Sequence, residues 1–126
     1  MNSKRYLGIL ACLVLWLSAA RAAHWECNIY DYRYDMTVYA SLQLSGRNVA
    51  ASDAYEIAAF CGDECRGVAT VETVPGTGAS YYYLRVRSNA TDGETITFRC
   101  YDVATGEEIE LGETLAFASQ SMTGYP

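Results

Sequence analysis

The chain has 126 residues, five cysteines, one histidine and a formal net charge of −6. An acidic balance of that kind repels phosphate backbones and anionic membrane surfaces, which argues against nucleic-acid binding and electrostatic lipid docking. A single histidine leaves little room for Ser-His-Asp or Cys-His catalysis.

The chain opens with a pattern of export. Lys4 and Arg5 form a positive start, Leu7 to Ala20 is an almost unbroken apolar run too short to span a bilayer comfortably, and Ala20-Arg21-Ala22 offers small residues to a signal peptidase. Residues 1–22 are therefore expected to be a signal peptide cleaved before Ala23, leaving a single domain over 23–126. A rival lipobox reading of Ile9-Leu10-Ala11-Cys12 is disfavoured because the apolar run continues past Cys12. Cleavage would remove Lys4, Arg5 and Arg21 and no acid, taking the formal charge from −6 to −9 and leaving no lysine. The expected destination is secreted, extracellular or cell-surface, with the periplasm as an alternative and no membrane span in the mature chain.

After the leader, short strands are expected near 24–29, over Met36–Leu44, Tyr55–Cys61, Cys65–Val71, Tyr81–Arg87 and Glu94–Tyr101, and near 107–111 and 114–118. The clearest alternation sets Met36, Val38, Ala40, Leu42 and Leu44 against Thr37, Tyr39, Ser41 and Gln43. Turn pairs such as Ser45-Gly46, Gly62-Asp63, Asp92-Gly93 and Thr105-Gly106 separate the runs, and no segment keeps a helical period. Seven or eight strands in about a hundred residues predict an all-β, antiparallel β-sandwich of immunoglobulin-like proportions. Alternation points Tyr82, Leu84, Val86, Ile96, Phe98 and Cys100 inward, with Trp25, Ile57, Ala59, Val71, Ile109, Leu111, Leu115 and Phe117 completing the core.

Four cysteines follow the leader: Cys27, Cys61, Cys65 and Cys100. An even number in an exported chain favours disulfides. If Gly62-Asp63-Glu64 is a three-residue hairpin loop, Cys61 faces Cys65 at a Cα separation of roughly 5.5 Å, within disulfide range. That pairing leaves Cys27 for Cys100, which shares parity with Ile96 and Phe98. A zinc site on Cys61 and Cys65 is the less favoured alternative, for want of further ligands at metal spacing. In the same hairpin Arg66 is placed opposite Phe60, where a cation–π contact would close the turn.

The order His24-Trp25, Tyr34-Asp35-Met36-Thr37-Val38, Glu56-Ile57-Ala58-Ala59-Phe60-Cys61-Gly62-Asp63-Glu64-Cys65-Arg66-Gly67-Val68-Ala69, Gly93-Glu94-Thr95-Ile96-Thr97-Phe98-Arg99 and Gly124-Tyr125-Pro126 resembles a small β-sandwich module of exported Bacteroidetes proteins. The resemblance covers nearly the whole chain after the leader. It implies fold and compartment and carries no catalytic or ligand residues.

No enzymatic constellation stands out. His24 lies at the expected mature terminus, and the acidic pairs Asp63-Glu64 and Glu107-Glu108 fall on turns or exposed strands. There is no phosphate loop and no EF-hand, so no cofactor and no committed metal are expected, although Asp63, Glu64 or Asp102 are the residues that calcium would use. Aromatic residues are the stronger lead. Tyr39, Tyr81, Tyr83 and Tyr101 fall on outward parity with Arg85 and Arg87, a combination of flat surfaces and directional donors enriched at interfaces. The expected function is a noncatalytic binding module with a glycan or surface protein as partner. The alternative is a structural or accessory domain with no ligand of its own.

Overall fold

The computed structural model describes residues 23–124. The expected leader and the terminal Tyr125-Pro126 lie outside the described residues. The described residues are all-β apart from one 3-10 turn at Ile29–Asp31, and no described helix is long and apolar enough to cross a membrane.

Among the described residues ten strands form: β1 (Tyr34–Ala40), β2 (Leu42–Leu44), β3 (Arg47–Val49), β4 (Tyr55–Cys61), β5 (Glu64–Val68), β6 (Thr70–Thr73), β7 (Ser80–Ser88), β8 (Asp92–Asp102), β9 (Glu107–Ala118) and β10 (Met122–Thr123). They exceed the seven or eight expected because the chain breaks at Ser41 and Ala69 to change sheets, and because two short strands, β3 and β10, lie outside the expected runs. Conversely, the two strands expected at 107–111 and 114–118 are one, β9, with an irregularity in its pairing to β8 between Thr97 and Phe98. Residues 24–28 form no strand.

One four-stranded sheet has the order β10-β1-β7-β6 and the other β5-β4-β8-β9, with β2 and β3 as a separate hairpin. Ser45 and Gly46 both take positive φ, 53° and 75°, the pair of left-handed residues that a two-residue hairpin turn matched to strand twist demands. One core cluster draws its members from both larger sheets. Met36, Val38, Tyr82, Leu84 and Val86 come from the first sheet, and Ile57, Ala59, Ile96, Phe98, Cys100 and Phe117 from the second. Leu84, Val86 and Ile96 are completely buried, each such aliphatic side chain contributing about 1.5–3 kcal/mol by removal from water. Strict alternation on β1, β7 and β8 selected these residues, and Val71, Ile109, Leu111 and Leu115 pack half-buried against them.

Trp25 does not join that core. It meets the face of β4 turned away from the core, edge-on to Phe60 at 5.5 Å between ring centroids. This contact helps to explain why Phe60, whose parity points outward, is nonetheless 2% exposed.

The hairpin from β4 to β5 also departs from expectation. Its loop has two residues, Gly62 and Asp63, with Cys61 paired to Glu64 and Phe60 to Cys65. Gly62 has φ 60° and Asp63 does not, the requirement of a type II′ turn. The register then shifts, so that Ala59 pairs with Gly67 and Arg66 is the extra residue of a β-bulge. Because neighbouring residues of a strand point to opposite faces, Cys61 and Cys65 are on opposite faces of the sheet. They neither pair with each other nor share a zinc ion. Cys100 is paired to Ile57 and Ile109 on the core face of the β5-β4-β8-β9 sheet, opposite to the face that carries Cys65. None of the four cysteines is joined to another in this structure, so neither expected disulfide is formed.

Candidate functional site

The outward face of the first sheet collects five of the six residues expected to bind. Antiparallel pairing of β1 with β7 sets Tyr39 opposite Tyr83, Thr37 opposite Arg85 and Asp35 opposite Arg87. The Tyr39 ring lies 5.6 Å from Tyr81 and 5.7 Å from Tyr83, centroid to centroid, in edge and tilted arrangements. Such geometry suits the aromatic quadrupole and leaves part of each ring free. Asp35 Oδ2 lies 3.6 Å from Arg85 Nε and 3.9 Å from Arg87 Nη1, so one carboxylate orders both guanidinium groups loosely while their remaining donors stay available. Tyr101 is not part of this surface. It belongs to β8 in the second sheet, where the His24 imidazole stacks on it at 3.7 Å.

Beside this face runs a shallow groove of about 750 Å³. Tyr83, Arg85 and Arg87 line one side, and Trp25, Glu26, Cys27 and Asn28 of the N-terminal segment line the other. Gly67 lies between them, and its smallness is obligatory: a Cβ there would sit 2.4 Å from the Arg85 carbonyl oxygen. The segment itself is fastened by separate contacts. The His24 amide donates to both carboxylate oxygens of Glu56 at 2.9 and 3.1 Å, His24 Nε2 lies 2.6 Å from Glu108 Oε2, and the Asn28 side chain accepts from the Tyr30 amide to cap the 3-10 turn. Residues 25–28 as groove wall were not legible in the sequence. Their only signal is a tryptophan among polar residues, and its parity indicated the core.

At the end of the groove an ionic cluster replaces the expected Arg66–Phe60 contact. The bulge carries Arg66 to Glu94, to the Arg87 carbonyl at 3.2 Å and to Glu64 at 2.6 Å, with its guanidinium 5.1 Å from the Tyr32 ring. Phe60 is covered instead by Arg99, 4.0 Å above its ring. Tyr32 donates to Glu64 at 2.8 Å. Burial, and then this bond to a carboxylate, push the Tyr32 hydroxyl up to about 12, while the hydrogen bonds from Tyr32 and Arg66 hold Glu64 below the usual carboxylate range. Glu94 is held at about 2, first by Arg66 and then by the Ser88 hydroxyl. A carboxylate that weakly basic is a poor proton acceptor, so the Ser88–Glu94 contact lacks a base for serine chemistry.

No protein-family model, curated protein or solved structure matches this chain. Among the described residues no three His, Cys, Asp or Glu side chains gather as a metal site. Of the carboxylates considered for calcium, Asp63 pairs with Arg99 at 3.0 Å, Glu64 serves Arg66 and Tyr32, and Asp102 accepts from the Ala104 amide at 3.0 Å within its own turn.

Proposed function

We propose that the protein is a noncatalytic interaction module, exported or displayed at the cell surface, that binds a glycan or a surface protein along the outward face of β1 and β7. In this reading the two four-stranded sheets around one core form a β-sandwich of immunoglobulin-like proportions. The observation that carries the proposal is the groove in which Tyr83, Arg85 and Arg87 face Trp25 and Asn28. Aromatic faces flanking a trough stack on the apolar faces of sugar rings, and guanidinium, amide and carboxylate groups supply directional partners for hydroxyls. The groove thus favours a glycan over a flat protein epitope. Nucleic acid is disfavoured by the charge balance, −9 once the expected leader is removed with its three basic residues.

The test is a glycan array probed with the exported chain and with Y81A/Y83A. Binding that falls tenfold or more in the double variant supports the reading. An absence of hits, or hits that ignore the change, removes it. The second reading is a structural domain with no ligand. It is favoured by the mutual packing of Tyr39, Tyr81 and Tyr83, which shields the strand backbones beneath them.

A further inference from the structure

The N-terminal segment crosses the second sheet in an order that brings one thiol to another. Trp25 lies against Phe60, and Phe60 is the registered partner of Cys65 on the same face. A few residues further on, Tyr32 is bonded to Glu64 and its ring lies beneath the guanidinium of Arg66, the two neighbours of Cys65 in sequence. The chain between Trp25 and Tyr32 is thus held at both ends against the residues flanking Cys65, and Cys27 is the thiol it carries. Cys27 and Cys65 are near enough that each acts on the other's ionisation, the Cys65 charge raising Cys27 and Cys27 lowering Cys65. Both are half-buried, and Cys65 also approaches the Gly67 carbonyl at 3.8 Å.

We infer that Cys27 and Cys65 are joined as a disulfide when the protein matures in an oxidising compartment, and that this bond latches the N-terminal segment to β5 as a fixed wall of the groove. The pairing differs from both bonds suggested by sequence spacing. It follows from the two-residue loop at Gly62 and Asp63, which sets Cys65 opposite Phe60 while Cys61 turns to the other face, with its sulfur 3.6 Å from Glu94. Cys100 remains a core thiol.

The chemistry is ordinary exchange with a disulfide-bearing oxidant, either a protein dithiol oxidase or oxidised glutathione. One cysteine thiolate attacks the oxidant's S–S bond and releases one of its sulfurs as a thiol. The second cysteine then attacks the mixed disulfide at the first cysteine's sulfur and releases the other. The protein loses two electrons and two protons, and the oxidant gains both as two thiols. Burial raises both thiols above their ordinary range, so neither is an activated nucleophile of the redox-enzyme kind, and the bond is structural.

The proposal is independent of any ligand. Its test is mass mapping of the exported chain, alkylated without reduction and cleaved after arginine and glutamate, which places Cys27, Cys61, Cys65 and Cys100 on separate peptides. The expected result is one linked pair, Cys27 with Cys65, and alkylated Cys61 and Cys100. Free Cys27 and Cys65 after export, or either of them joined to another cysteine, overturns it. A second measurement uses Trp25, the sole tryptophan from residue 23 onward. Reduction of the native protein, C27S and C65S should each shift its emission to the red and lower the unfolding midpoint by roughly 10 °C or more. C61S should leave its emission in place. Emission unchanged by reduction would show that no bond holds the segment.

Discussion

Glu94 receives both terminal nitrogens of Arg66, Nη1 on Oε1 at 2.8 Å and Nη2 on Oε2 at 3.1 Å. Arg66 is 8% exposed, so this two-point bond satisfies a guanidinium that water scarcely reaches. It joins the bulge of β5 to the start of β8 and fixes the corner where the N-terminal segment turns away.

The pair sets an acid limit on stability. The Glu94 carboxyl titrates near 2 in the fold against 4.5 when unperturbed. A carboxylate lowered on folding stabilises the protein fully above its unfolded value and loses that contribution as pH falls toward the folded value. Stability should therefore decline between pH 4.5 and 2, and E94Q should flatten that part of the curve while costing about 2 kcal/mol at neutral pH, measured by denaturant titration. Because the Glu94 side chain is 30% exposed, the cost is placed below that of a fully buried pair.

Gly67 tests the packing of β5 against β7. With a Cβ 2.4 Å from a backbone oxygen, G67A should destabilise by about 3 kcal/mol, whereas G112A, where a Cβ meets open space, should stay within about 0.5 kcal/mol. Similar losses for both would mean that the approach of Gly67 to Arg85 is not a constraint.

Cys100 should be inert in the native protein. It is fully buried, and burial pushes its thiol up to about 11, so at pH 8 it offers almost no thiolate and no path to a reagent. Alkylation followed by mass spectrometry should label it only after denaturation. Rapid native labelling would contradict its burial in the core.

Phe60 carries Trp25 on one side and Arg99 on another. F60A should cost about 3–4 kcal/mol and shift Trp25 emission to the red, because the indole loses the surface on which it rests. F60L should recover most of the stability and less of the emission.

Much of this molecule follows from local rules. Alternation with period two placed Tyr82, Leu84 and Val86 inward and Tyr81, Tyr83 and Arg85 outward, and the same rule placed Ile96, Phe98 and Cys100. Such a rule needs only one strand at a time. It was less reliable where neighbouring chain covers an outward face, as with Phe60, since burial there comes in part from a segment remote in sequence.

The sequence by itself determined the all-β class, the inward residues of the long strands and the five Tyr and Arg positions that share one face. Tertiary structure alone decided which thiols are neighbours, where Trp25 rests and that Tyr101 belongs to a different sheet from Tyr39 and Tyr83. The physical reason is register. A loop of two residues where three were expected puts Cys61 and Cys65 on opposite faces, and their separation of four in the chain does not encode it.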